Sequence, residues 1–270
     1  MTITNRCSGD EATAPSPIVL FDLDDTLMAH REAVAAGIAL HMRERAYDAS
    51  TGARAEPPGD PITAAQRLWH ELEEQHYHEY LAGRLTFEGQ RRARARDFAL
   101  AHGDELDELA AGAWFDRYFE RYRESWALHA DALPALDRLA TQAPEVRVGV
   151  VTNGELDFQL AKLDRLGIRG RFAHVIASGA VGVTKPDPAI FELAVGRFTA
   201  DRPVSWAAYV GDRLATDAIG AARAGLIGVW LNRFGVEPSA EEAAEAAAVG
   251  VIEIASLDEL SAALQPHLRG

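Results

Sequence analysis

Lysine is nearly missing from this chain. Only two of its 27 basic residues are lysines, Lys162 and Lys185, and arginine supplies the rest of the positive charge. Either lysine therefore invites inspection. Cysteine is rarer still: Cys7, in a polar N-terminal segment, is the single one. No intrachain disulfide can form, and a reducing, cytoplasmic setting is expected. An excess of basic charge is also absent. The 27 basic residues face 41 acidic ones, a net charge of -14. That argues against nucleic acid or an anionic membrane as the main partner, since both need a basic face. An anionic substrate would need a local positive site or a bound cation. Long apolar runs are lacking too. No stretch reaches the about 18 apolar residues that a membrane span requires. Residues 1–17 mix Thr, Asn, Asp, Glu, Ser and Pro, so no secretory signal is expected.

What is present is ordinary for a folded protein. The hydrophobic fraction of 48% over 270 residues suffices for the core of one large domain or two modest ones. Residues 1–16 read as a disordered tail. Ile18-Val19-Leu20-Phe21 then forms a continuous apolar run ending in acids, the pattern of a strand buried on both faces. Similar runs recur at 146–151, 173–177, 206–210 and 227–231, with a short sixth at 251–254. Between them, residues 131–141, 155–166, 187–197 and 214–224 carry apolar positions at helical spacing. This alternation predicts an α/β fold, a doubly wound parallel sheet with helices on both faces. Residues 30–128 differ. They contain no credible strand and read as four helices, at 31–48, 62–82, 86–101 and 104–126, with a loop at 50–61. Gly83 and Gly103 are placed to close the second and third. The chain is thus expected to have a core of 17–29 and 129–270 with a helical insert of 30–128. Glu237–Ala248, rich in Ala and Glu, reads as a solvated helix.

In an open parallel sheet, ligands bind at the carboxyl ends of the strands. The first strand ends in Asp22-Leu23-Asp24, whose two carboxylates point to one side of an extended chain. At about 4 Å and an effective dielectric near 20, their repulsion costs roughly 4 kcal/mol. A divalent cation relieves it, and Mg²⁺ suits carboxylate and phosphate oxygens. The second strand ends in Thr152-Asn153-Gly154, a hydroxyl, an amide and a flexible backbone that can donate to an anion, followed by a helix N-terminus. The third leads to Lys185, held in Lys185-Pro186-Asp187-Pro188 at the start of the next helix. The fourth ends in Gly211-Asp212, with Asp217 five residues on. Each fragment alone has an ordinary reading as a strand end, turn or helix start. Together, four consecutive strands present acid, hydroxyl, amine and acid in order.

That order closely resembles the haloacid dehalogenase-like hydrolase superfamily. The motifs that carry it are Asp22-Leu23-Asp24-Asp25-Thr26, Thr152, Lys185-Pro186, and Gly211-Asp212 with Asp217. The helical insert looks like that superfamily's type 1 cap. The resemblance implies a Rossmann-like core and Mg²⁺-dependent hydrolysis of a small phosphate monoester. Asp22 would be the nucleophile, forming an aspartyl-phosphate, and Asp24 the general acid and base. Asp22, Asp212 and the main-chain carbonyl of Asp24 would hold the metal. Thr152, Asn153 and Lys185 would bind phosphate, and Asp217 would orient Lys185 or the metal's waters. The wording is most similar to the branch of N-acylneuraminate-9-phosphatase and 5′-nucleotidase-like enzymes. A phosphosugar mutase and a 2-haloacid dehalogenase share the core, although dehalogenases generally lack the second aspartate. A phospho-acceptor signalling domain is the alternative of another class. The expected partner is a small phosphorylated metabolite, with the oligomeric state, monomer or homodimer, open.

Within the insert, Arg91, Arg92, Arg94 and Arg96 are candidate substrate contacts on a helix that is otherwise solvated. His70, Glu74 and His78 have i, i+4 spacing, but a third metal ligand is not evident and a solvated face is the expectation. Trp69, Trp114, Phe115, Tyr118, Phe119 and Trp126 are expected to form the insert's core.

Overall fold

A computed structural model of the chain describes residues 14–49 and 61–268. Cys7, most of the expected N-terminal tail and all of the expected 50–61 loop except Pro61 lie outside the described residues. The chain divides into two compact units, residues 1–26 with 130–270, and residues 27–129.

The first unit is built on six parallel strands: β1 (Ser16–Phe21), β2 (Arg147–Thr152), β3 (His174–Ala177), β4 (Val204–Gly211), β5 (Ile227–Leu231) and β6 (Ile252–Ile254). Their spatial order is β3-β2-β1-β4-β5-β6. β1 is fully buried and pairs on one side with β2 (Leu20 opposite Gly149) and on the other with β4 (Leu20 opposite Tyr209). The chain winds outward from β1 in one direction and then in the other, which creates a switch point where ligands bind. β1 begins at Ser16, inside the segment expected to be tail. Its register with β4 shifts between Ser16 and Ile18. Pro17 lies there and has no N–H to give the ladder, so the regular apolar run starts only after it.

Helices α5 (Ala132–Gln142), α6 (Leu156–Arg165), α7 (Ser178–Val181), α8 (Pro188–Asp201), α9 (Gly220–Arg223), α10 (Ala240–Val249) and α11 (Leu260–Leu268) accompany the sheet. Asp187 caps α8, accepting from the Ala189 amide at 2.9 Å, and Pro188 opens the helix. Ser239 and Glu242 form a capping box on α10, so that helix starts three residues later than its composition suggested. The expected helix 214–224 is a π-helical turn, Leu214–Ile219, followed by the short α9. Ile18, Leu20, Val151, Phe191, Phe198 and Tyr209 pack in one core cluster, and Leu214, Ala218, Ile219 and Trp230 in another.

The second unit is all helical among its described residues: α1 (His30–Ala49), α2 (Pro61–Leu81), α3 (Phe87–Ala101) and α4 (Glu108–Glu124). Gly83 and Gly103, beyond the ends of α2 and α3, have positive φ. Thr86 caps α3 and Asp107 caps α4 through their side chains, which moves the start of α4 past the expected 104. Trp69 is the hub of the core, 4.5 Å from Tyr118 and 5.1 Å from both Phe98 and Trp114 between ring centroids. Phe115 and Trp126 are also buried, whereas Phe119 is half-exposed. No helix among the described residues is long and apolar enough to cross a membrane.

Candidate active site

The carboxyl ends of β1, β2 and β4 carry Asp22, Thr152 and Asp212, all in the first unit. Asp22 follows β1 directly, and its amide donates to Val210 O on β4 at 2.9 Å. Asp212 follows Gly211, and its main-chain carbonyl accepts from Trp230 Nε1 at 2.9 Å. Lys185 arrives from the α7–α8 loop. Its buried ammonium donates to Asp22 Oδ1 at 2.6 Å, Tyr209 Oη at 2.7 Å and Asp217 Oδ1 at 2.7 Å. The three acceptors match its three N–H bonds. Tyr209 in turn donates to Val151 O at 2.8 Å.

The π-helical turn returns Asp217 beneath the end of β4. Its Oδ2 accepts from the Arg213 amide at 3.0 Å. Gly211 makes room for this: a Cβ there would overlap the Asp217 carboxyl. The Asp22, Asp212 and Asp217 carboxylates each bring an oxygen within 4.8 Å of the others. Three acids thus converge near one ammonium, and the imbalance shows in the protonation of Asp22 and Asp212. Burial pushes the Asp22 carboxyl up to about 7; Lys185 pulls it back, while Asp217 and Asp24 push it further. Burial also raises Asp212 well above the usual carboxylate range, with Asp217 and Asp22 adding to the rise. Burial alone would lower the Lys185 ammonium, but Asp217 and Asp22 hold it above its ordinary value. An oxygen-only donor set with surplus negative charge is what a hard divalent cation such as Mg²⁺ requires, so these residues fit that ion.

Thr152 is buried at the end of β2. Asn153 uses its side-chain amide on the Lys185 main chain: Nδ2 donates to the carbonyl at 3.1 Å, and Oδ1 accepts from the amide at 2.9 Å. It therefore holds the lysine loop, a role its sequence position did not disclose. Asp24 faces Lys162, whose ammonium donates to both carboxylate oxygens at 2.7 and 2.6 Å. Directly after Asp24 the chain turns sharply, with Asp25 at φ 59°, a conformation Asp tolerates better than most residues. Arg233 fixes this turn's far side, donating to Thr26 O and pairing with Asp131.

Tyr209, Trp230 and the contact of Lys162 with Asp24 were not legible in the sequence. The first two looked like strand core, and only the rarity of lysine drew attention to Lys162.

Within the helical unit, the candidate arginines pair with acids of that unit. Arg94 is buried inside that unit, paired with Glu73 and stacked on Trp69 at 4.6 Å, so it serves the interior and not the surface. Arg91 pairs with Glu88 and lies over Phe87 at 4.1 Å. Arg92 and Arg96 both face Glu108. Among the described residues, His70, Glu74 and His78 do not gather as a metal-binding group.

A sequence model of the haloacid dehalogenase-like hydrolases matches residues 17–225. The glyceraldehyde 3-phosphate phosphatase of Methanopyrus kandleri is 33% identical over 80% of this chain and 83% of its own length. The ribulose-1,5-bisphosphate 5-phosphatase of Halopiger xanaduensis is 31% identical over 85% of this chain and 90% of its own. In fold, the chain resembles the HAD-hydrolase YfnB of Bacillus subtilis, solved bound to magnesium, with a TM-score of 0.70, 20% identity, and coverage of 93% of this chain and 99% of that one. Sequence, topology and the placement of the acids converge: the chain belongs to the haloacid dehalogenase-like hydrolase family and is an enzyme.

Proposed function

We propose that the chain hydrolyses the phosphate monoester of a small metabolite, with Asp22 as nucleophile and Asp24 as general acid and base. The observation that carries this reading is the contact of Asp22 with buried Lys185 at the sheet's switch point, with Asp212 and Asp217 beside them. An Asp22 oxygen attacks phosphorus while the ester O–P bond breaks, and the leaving oxygen takes a proton from Asp24. Asp24 then removes a proton from water, which attacks the aspartyl-phosphate and releases inorganic phosphate. Lys185 and Thr152 neutralise and orient the phosphoryl oxygens, and Asn153 fixes the loop that carries Lys185. Mg²⁺, held by Asp22, Asp212 and the Asp24 carbonyl, would supply charge neutralisation at the phosphoryl group. Asp217 holds Lys185 in line.

The two phosphatase relatives act on short sugar phosphates, so triose and pentulose phosphates stand first among substrates to try. Initial rates of phosphate release on a panel that adds nucleoside monophosphates and phosphoglycolate, with and without Mg²⁺, test the activity. Asp22→Asn should abolish phosphate release while leaving the fold intact by circular dichroism. Wild-type turnover in that variant would overturn the assignment of the nucleophile.

A further inference from the structure

Lys162 has no part in the proposed reaction, yet its placement is costly. It lies on α6 with 1% of its side chain exposed, its ammonium against both oxygens of Asp24 and 4.6 Å from the Phe158 ring. Burying an ammonium costs several kcal/mol, and an apolar side chain of the same length would fill the space without that cost. Packing therefore does not explain the lysine. Asp24, in contrast, keeps 28% of its side chain exposed, as a group that must reach a substrate does.

We infer that Lys162 is a positioning residue for Asp24. Asp24 stands on the first residues past β1, just before the sharp turn at Asp25. Two charge-assisted hydrogen bonds to one ammonium select a single orientation of the carboxylate. The ammonium is itself fixed, because α6 follows directly from the Thr152-Asn153-Gly154 turn and is tied back to it by Gln159, whose Nε2 donates to Asn153 O at 3.4 Å. One rigid segment thus sets both the phosphate-binding turn and the acid that must reach the leaving oxygen. Such a shell of support is what holds a catalytic group within the tolerance its chemistry needs.

This inference rests on the reading of Asp24 as the general acid, and the test separates the two. Lys162→Met, Lys162→Arg and Asp24→Asn are compared in the full chain with Mg²⁺ present. Two esters are used: an alkyl phosphate accepted by the enzyme, whose alkoxide must be protonated as it leaves, and p-nitrophenyl phosphate, whose phenolate leaves without a proton. kcat/KM reports the steps up to departure of the leaving group. Lys162→Met should lower kcat/KM for the alkyl ester about tenfold or more, through kcat, and that for the aryl ester less than about threefold. Lys162→Arg, which keeps a cation, should restore part of the loss, and Asp24→Asn should show the same selectivity. Equal losses on both esters in Lys162→Met, with Asp24→Asn still selective, would reduce Lys162 to a structural residue and overturn the inference. Asp24→Asn without selectivity would overturn the role of Asp24, and that of Lys162 with it. Should Lys162→Met fail to fold, Lys162→Gln makes the same comparison, since its amide reaches only one Asp24 oxygen.

Discussion

Lys185 has three donors, and the acceptor that is neither an acid nor part of a recognised motif is the Tyr209 hydroxyl. Tyr209 is fully buried, and its O–H also supplies the Val151 carbonyl. Tyr209→Phe would keep the ring and its packing but remove both bonds. A buried donor and a buried acceptor left without partners cost about 1–3 kcal/mol. The variant should therefore unfold at lower urea, and its kcat should fall as the ammonium loses one of three restraints. Unchanged urea midpoint and unchanged kcat would show the hydroxyl to be inert. This residue also marks the limit of what the sequence discloses. Asp22 and Lys185 were both recognisable, one from its strand end and one from the rarity of lysine. Their contact was not, because 163 residues separate them. Tyr209 was hidden altogether, because a strand interior accepts a tyrosine for its ring alone and nothing local shows where its hydroxyl points.

Among elements, the α2–α3 pair shows how a helical unit tolerates charge in its core. Glu73 on α2 and Arg94 on α3 pair there, with His30 on α1 3.5 Å from the second Glu73 oxygen. Burial would raise Glu73, but Arg94 and His30 override it and hold the carboxyl well below its usual range. Arg94→Met should destabilise the unit by about 3–5 kcal/mol, since it strands a buried carboxylate. Adding Glu73→Gln should recover much of that loss, and chemical denaturation of the single and double variants measures both effects. A double variant no more stable than Arg94→Met would refute the pairing. The sign of the pH effect follows from the depressed value. Glu73 contributes its stability above its ordinary 4.5 and loses it as pH falls below that toward the folded value. Helix existence was legible here because apolar spacing and the closing glycines agree with the packing. The π-helical turn at Leu214–Ile219 was not. Leu214, Ala218 and Ile219 bury against Trp230 at a spacing an α-helix would also give, and only the crowding of Asp217 under Gly211 distinguishes the two.

For the whole molecule, the alternation of strands and helices and the lack of any strand in 30–128 were enough to predict the sheet and the helical insert, because burial on both faces leaves an unmistakable apolar run. The net charge of -14 carried less information. It argued against nucleic acid and anionic membranes as partners but did not show that the acids concentrate around one ammonium. That concentration predicts that the stability of the first unit depends on pH and cation together. Asp22 keeps its proton in the folded state up to about 7, whereas the unfolded chain releases it near 3.8. Between those values the folded state binds more protons, so in metal-free protein this group's contribution falls as pH rises. Mg²⁺ bound to the deprotonated carboxylates would oppose that loss. The gain in melting temperature on adding Mg²⁺ should therefore be small at mildly acidic pH and grow through neutrality. At Mg²⁺ a hundredfold above its dissociation constant it corresponds to about 2.7 kcal/mol. Asp212→Asn should remove most of the gain. Calorimetry of both proteins across this pH range, with Mg²⁺ or with a chelator, measures it. A gain that is constant with pH, or that survives in Asp212→Asn, would place the cation somewhere other than at Asp22 and Asp212.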